Sequence, residues 1–513
     1  MSSAILDVRA VGPQNGPLND KPTTSFFIAT YARHFPFARE SVEVPVIGQP
    51  GWGSACWVNL GKRGDLTGRF YWAFHVPGIR HKSEKMTVRR SSLRAINYRS
   101  CDDKRRGHRR HRGRCDESCS SSSSSSSSCS SSSSSSRSCC DSSSSSSSSC
   151  RDSSSSSSSC RDSSSSSSGR CGSSSSSSGS SKRKREMPRR WAHYVNCLAH
   201  VIVEHCDWLV GGHVVDTHHG EWMEIFERYT LPAGQTTDEI VGRYRSQYAL
   251  WEASRRPQIR YARMRFSFCE WMSHALPVVT IYWSTIQAKL YTRPLHECFM
   301  SCDDTVPHLI DADKALQDTD LKVRCWVNTY WVSKKERKDI DNSTHEYIIT
   351  QNQRDTHDLP GRGEGSSDAP HPVPLKFQHT VTSILWTVQA LEHRRRKDWF
   401  NYSGCDGEDP ITRFRMRVNG GDRVTVRECR WFRTVEANEM YSRTPDLHAY
   451  GWSFCAEPEK TNKPTGSLNW SQIDDVIADL EIQPGLGPAA FTCWARNSQI
   501  LKVKGHLCGP AYH

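Results

Sequence analysis

Apolar positions along the chain change period several times, and each change predicts a different element. Between residues 24 and 80, aromatic-rich runs such as "SFFIATYARHFPF" and "RFYWAFHVPGI" are separated by the turn-rich "GQPGWGS" and "GKRGD". That pattern predicts strands, and residues 1–98 read as a small β-rich segment. Further on, "WAHYVNCLAHVIVEHCDWLV" (191–210) fits a helical period: Trp191, Tyr194, Val195, Leu198, Ala199 and Ile202 fall on one face at 100° per residue. "EWMEIFERY" and "TTDEIVGRYRSQYALWEASRR" continue that character, the second with Thr236 or Thr237 as cap and Ile240, Tyr244, Tyr248 and Trp251 as a core stripe. Residues 191–358 therefore read as mainly helical.

"LPGRGEGSSDAPHPVPLKF" loses periodicity, which predicts a linker over 359–376 and a separate, β-containing segment over 377–513. Its glycines do not form a nucleotide loop, because a P-loop lysine is missing. Strict alternation returns in "ITRFRMRVNGGDRVTVRECRWF" (411–432), a hairpin turning at "NGGD", where Asn and Gly accept positive φ cheaply. Keeping its apolar residues together sets Val418 opposite Val424 and Met416 opposite Val426. The same register puts Arg415 opposite Arg427, a repulsion that needs an external anion or solvent to relieve it. Arg413, Arg415 and Arg417 on one strand and Arg427 on the other give this hairpin a basic face.

Residues 99–190 have neither period. Basic runs, "KRRGHRRHRGR" (104–114) and "KRKREMPRR" (182–190), flank a serine tract interrupted by cysteines at 119, 129, 139, 140, 150, 160 and 171. Zinc sites pair their ligands two to four residues apart. Only Cys115 and Cys119 come near that spacing, and slippage of a short DNA repeat explains the ten-residue period more simply. Serine returns almost no apolar burial against about 1–2 kcal/mol of backbone entropy per residue, so the tract is expected to be disordered.

Composition weakens the expected core further. Only 36% of the 513 residues are apolar, against about 45–50% in typical soluble domains. The fold class expected is a poorly specified mixed α+β chain. Its small β-rich N-terminal segment and α/β C-terminal segments are separated by the Ser-rich low-complexity tract. The net charge of +13 favours polyanions. The candidate phosphate contacts are Lys104, Arg105, Arg106, Arg109, Arg110, Arg112, Arg114, Lys182, Arg183, Lys184 and Arg185, together with Arg413, Arg415, Arg417 and Arg427. Lys182–Arg185 also has the form of a signal for a nuclear-import receptor.

Catalytic motifs are missing: there is no G-x-S-x-G and no carboxylate pair in recognisable surroundings. Cys56 in "SACWVNL" reads as a small hydrophobe. His193, Cys197, His200 and Glu204, at i, i+4, i+7 and i+11 on the polar face of the expected 191–210 helix, form the one ladder on which zinc ligands could converge; otherwise no cofactor is expected. With no apolar run long enough to span a bilayer, membrane insertion is not expected, and the setting is nuclear or, alternatively, cytoplasmic. Two functions remain. One is a non-enzymatic basic protein that associates with nucleic acid with low sequence specificity. The other is a lineage-restricted or mistranslated frame with no selected activity.

Overall fold

The computed structural model describes residues 36–84 (except 62), 187–363, 369–460 and 464–511. The expected disorder of 99–190 falls almost wholly outside these residues, as do the basic runs 104–114 and 182–185.

Short edge strands such as Ile47–Gly48 aside, sixteen strands among the described residues carry the fold, in two successive sets of eight. The first set is β1 (Phe37–Val44), β2 (Ala55–Asn59), β3 (Leu66–Val76), β4 (Val203–Val210), β5 (His213–His219), β6 (Gln258–Arg263), β7 (Ile286–Thr292) and β8 (Lys322–Val332). They form two antiparallel sheets, ordered β1-β8-β3-β6 and β2-β7-β4-β5. The second set is β9 (His345–Leu359), β10 (His371–Pro374), β11 (Thr380–Ala390), β12 (Ile411–Val418), β13 (Gly421–Glu428), β14 (Ala449–Ser453), β15 (Val476–Ile482) and β16 (Ala489–Lys504). Their sheets run β9-β16-β11-β14 and β10-β15-β12-β13. The second order is the first with eight added to every strand, so one architecture occurs twice. This interleaving, with first and last strands adjacent in one sheet, is that of an eight-stranded jelly roll.

The poorly specified α+β class is therefore corrected: the chain is a β-protein with two well-formed barrels. Strand burial alternates as a sandwich requires. In β7, Ile286, Ala288, Leu290 and Thr292 point inward while Gln287, Lys289 and Tyr291 are half-exposed. The second barrel has its own aromatic core, in which Trp386 stacks on Phe414 at 4.3 Å and meets Phe432 edge-on at 5.3 Å.

The helix expected over 191–210 is also corrected. Ala192–Tyr194 is a short strand, Leu198–Ile202 a single helical turn, and Val203–Val210 is β4. Cys206, Trp208 and Val210 are buried while Asp207 and Leu209 are half-exposed, a period of two that helical spacing upstream obscures. Strands on both sides, β5 and β7, supply hydrogen bonds that a helix would forgo. Gly211 and Gly212 join β4 to β5 with φ of 60° and 88°, and Asn419 and Gly420 join β12 to β13 with φ of 47° and 79°. Equivalent hairpins of the two barrels thus close on two-residue turns with both φ positive, the conformation whose twist suits antiparallel strands.

Four helices matter below: α1 (Gly220–Thr230), α2 (Lys334–Asn342), α3 (Leu391–Arg395) and α4 (Cys429–Met440). Among the described residues no helix is long and apolar enough to cross a membrane.

Candidate functional site: the junction between the barrels

Helix α1 follows β5 directly and lies where the first barrel meets the second. Its glutamates at 221, 224 and 227 are spaced by three, so they fall along one side, and all three are buried. A buried carboxylate is stable as an ion only if it is paired and hydrogen-bonded. Glu221 meets Arg293 at 3.3 Å from its own barrel, and Arg354 of β9 and Arg394 of α3, both at 3.2 Å, from the other. Burial alone would raise its pKa, but the guanidiniums of Arg354, Arg293 and Arg394 outweigh that and hold the carboxyl below its ordinary range.

Glu224, one turn on, accepts from His200 Nδ1 at 2.7 Å, Arg228 Nε at 2.8 Å and Arg243 Nη2 at 2.7 Å. Here too burial opposes ionisation, and the His200 hydrogen bond with the neighbouring positive charges depresses the pKa strongly. Arg228 reaches on to Asp446 of the second barrel at 2.6 Å.

Further hydrogen bonds extend the junction. Asp216 Oδ1 accepts from the Asn352 amide at 2.8 Å, Ser267 Oγ accepts from the Thr350 amide at 2.6 Å, and Tyr229 donates to the Ala449 carbonyl at 2.9 Å. Trp399 Nε1 donates to the Glu297 carbonyl at 3.0 Å, with the Arg293 guanidinium 4.0 Å above the ring. Beneath these bonds, Leu385, Trp494, Leu501 and Val503 of the second barrel share one apolar cluster with Trp222, Phe226 and Phe268 of the first. The barrels are fused by a common core and a ring of charges. Such a junction positions two barrels rigidly; the thiol it holds, Cys197, lies 3.6 Å from Glu224, and burial pushes its pKa well up, so it is kept protonated.

The sequence-derived candidates are distributed differently. His193 is buried and its Nδ1 donates to the Tyr194 carbonyl at 2.7 Å, while Glu204 is exposed on β4. Cys197 and His200 do converge, but on Glu224, at 3.6 and 2.7 Å. The four-residue ladder does not exist because the helix that would align it does not.

Among the described residues, His81, Cys302 and Asp303 alone place three metal-type ligand atoms within 4.8 Å of one another. Yet the Ser83 amide donates to His81 Nδ1 at 3.2 Å, which puts the ring proton on Nε2, facing Asp303 Oδ1 at 3.0 Å. Nε2 then donates to the carboxylate and has no lone pair for a cation.

On the hairpin the register differs from the expected one. Val418 pairs with Gly421 and Met416 with Val424, and two irregularities shift the ladder. The two-residue turn draws the strands together earlier than the five-residue connection implied by pairing Val418 with Val424 would. Arg415 therefore does not oppose Arg427; it bonds Asp422 at 2.7 Å. Arg417 grips Asp479 through two bonds of 2.7 and 2.8 Å, Arg413 lies 3.8 Å from Glu481, and Arg427 stacks over Trp431 at 4.2 Å. The basic face is largely neutralised by its own chain.

The helical character of "EWMEIFERY" holds in α1, but the sequence reading did not single out its glutamates as the centre of the junction. The signal was three glutamates at a spacing of three inside a segment otherwise rich in Trp, Met, Ile and Phe.

Comparison with known proteins follows the same division. A family model described as the major capsid protein N-terminus matches residues 171–332, and one described as the large eukaryotic DNA virus major capsid protein matches residues 336–504. The gap between them falls where β8 ends and α2 begins. The major capsid protein of Pyramimonas orientalis virus is 22% identical, over 61% of this chain and 77% of that one. That of Phaeocystis pouchetii virus is 20% identical, over 63% and 83%. Among solved structures, the quasi-atomic model of the PBCV-1 virus capsid aligns with a TM-score of 0.63 at 13% identity, covering 95% of this chain and all of that one. The Faustovirus major capsid protein aligns with a TM-score of 0.58 at 8% identity, covering 92% of each. The fold is thus the jelly-roll fold of viral major capsid proteins.

These findings correct the functional expectations. A chain matched over two successive stretches by two capsid-protein models, and packed as two barrels, is not a mistranslated frame. Nothing in the matches supports a nucleic-acid-associated protein, an import receptor as partner, or a nuclear setting. The matched families are structural, which accords with a chain that is not an enzyme.

Proposed function

We propose that this chain is a major capsid protein of a large DNA virus, a shell subunit whose partners are further copies of itself and whose place is the virus particle. The observation that carries this reading is the duplicated jelly roll with its buried inter-barrel junction, matched across residues 171–504 by the two capsid-protein models. The physical logic is that of a tile. A shell is built from one part used many times, so the part must hold its edges in constant relation to one another. Two independent barrels on a flexible linker would not do so. Two barrels sharing an apolar core and pinned by Glu221 to Arg354 and Arg394, and by Arg228 to Asp446, do.

The test is assembly. The purified full chain, concentrated and examined by sedimentation and electron microscopy, is expected to form discrete oligomers that array into sheets or shells. A chain that stays monomeric at every concentration would overturn the reading.

A further inference from the structure

Two oppositely charged features lie side by side, a cleft at the seam between the barrels and a loop of the first barrel. One is a cleft between Leu295–Glu297 and α3, lined by Arg293, His296, Arg394, Arg395 and Lys397. Glu297 is the lone acid in that lining. Arg293 and Arg394 are partly spent on Glu221, and Lys397 donates to the Phe299 carbonyl at 3.2 Å. Arg395 is exposed and has no ionic partner among the described residues, and the His296 side chain is 74% exposed.

The other feature is the loop from 302 to 320, "CDDTVPHLIDADKALQDTD", which connects β7 to β8 and holds six aspartates against the single Lys314. Three of the six are used internally. Asp303 bonds His81 and Thr305, Asp313 bonds Arg80 at 2.6 Å, and Asp320 accepts from the Gln317 amide at 2.9 Å. Asp304, Asp311 and Asp318 are exposed and have no ionic partner among the described residues.

One turn fixes the two features relative to each other. The Trp52 amide donates to the Asp318 carbonyl and the next amide, Gly53, donates to the Arg293 carbonyl, both at 2.9 Å. The acidic loop and the basic cleft therefore flank Gly51–Ser54, neighbours on the surface that leave their outermost charges unneutralised. Adjacent patches of opposite sign that do not satisfy each other within a chain are complementary to the same pair on another copy.

We propose that the aspartate-rich loop 303–320 of one copy seats against the Arg395–His296 cleft of a second copy and sets the register in which copies meet. This rests on the self-assembly reading above and names a surface for it. The contact is exposed and ionic, so it acts more on the rate and specificity of pairing than on intrinsic stability.

The experiment is a charge swap in the full chain. One variant carries H296E and R395E, the other D311K and D318K, all at exposed positions outside both cores. Each alone is expected to fold, by circular dichroism and melting, and to lose at least about tenfold in self-association by sedimentation. Mixed one to one, they are expected to recover association, because the reversed cleft now faces a reversed loop. Association of the native chain should weaken as salt rises from 0.05 to 0.5 M, as screening shortens to a few Å. Native-like association of both single-side variants, or a mixture that fails to recover, would overturn this contact while leaving self-assembly intact. A native chain that never associates would instead overturn the capsid reading, and this contact with it.

Discussion

Arg354 Nη2, on the first strand of the second barrel, lies 3.2 Å from Glu221 Oε2, on the helix that leaves the first. Arg394, also from the second barrel, reaches the other oxygen of the same carboxylate at 3.2 Å. One buried side chain thus holds two elements of the neighbouring barrel by both of its oxygens. Apolar packing tolerates small slips, whereas a carboxylate between guanidiniums does not, and this makes the junction directional as well as stable.

Removing the central charge should expose that dependence. Glu221→Gln leaves the guanidiniums of Arg293, Arg354 and Arg394 around a neutral amide, and breaking one side of a buried pair costs roughly 3–5 kcal/mol. Because these arginines are partly solvated, the lower end of that range is expected. Urea denaturation should show a lowered midpoint with far-ultraviolet dichroism unchanged before the transition. An unchanged midpoint would mean that the shared core alone holds the barrels.

Acid should loosen the same junction in two stages. Burial, and then the positive charge of Arg354, push the His219 pKa from 6.5 down to about 3. The unfolded chain takes up this proton below pH 6.5 and the folded chain does not until about pH 3, so stability falls as pH drops through that window. The contribution is up to about 1 kcal/mol per pH unit for this partly solvated ring. Glu221 and Glu224, depressed from 4.5, act with the same sign. Their contribution is whole above pH 4.5 and is lost as pH falls towards their folded values. The denaturation midpoint should therefore decline gently below pH 6.5 and steeply below 4.5. His219→Asn should make the upper limb shallower and leave the lower one unchanged, the remaining slope coming from other buried histidines such as His193 and His274, and a wild-type midpoint constant between pH 6.5 and 4.5 would contradict the account.

How much of this was legible in the chain depended on distance along it. The turn at Asn419–Gly420 is local, two residues that tolerate positive φ between alternating strands, and such a signal can be read directly. Gly211–Gly212 carries the same signal at the equivalent place in the first barrel, but the helical spacing of Trp191 to Ile202 masked it. The barrels themselves are not local. Phe37 pairs with Val332 and His345 with Val503, contacts that leave no trace in any short window. Glu221 was unreadable for the same reason: its partners lie 72, 133 and 173 residues away. A surface acid and a buried one look alike until those partners are in place. Composition misled as well, because the serine tract dilutes the apolar count of a chain whose described part has two continuous cores.

The hairpin arginines should separate by what they touch. Arg417 bonds both oxygens of the largely buried Asp479, so Arg417→Ala strands a carboxylate and is expected to cost about 1–3 kcal/mol. Arg413 faces Glu481 at 3.8 Å with most of its side chain in water, and its replacement by alanine should cost under about 1 kcal/mol. Equal losses at the two positions, read from denaturation midpoints, would show that the strand face and not the carboxylate contact is what matters.

Gly220 offers the sharpest test of how α1 is set against the first barrel. It is the first residue of the helix, buried, and its φ is not in the left-handed region, so conformational freedom is not the reason for glycine here. Space is the reason. A Cβ at this position would run into the carbonyl oxygens of His200 and Val203, backbone atoms that cannot swing aside as a side chain can. Those carbonyls belong to the helical turn and strand that carry His200 to Glu224, so moving them also disturbs the ion cluster. Gly220→Ala, elsewhere a mild change or even a favourable one at a helix start, is expected to cost roughly 1–3 kcal/mol or more. The loss should appear as a lowered melting temperature and a reduced yield of soluble chain. A Gly220→Ala protein as stable as the native one would mean that α1 approaches the strand less closely than the structure has it, and the placement of Glu221 and Glu224 would have to be revised with it.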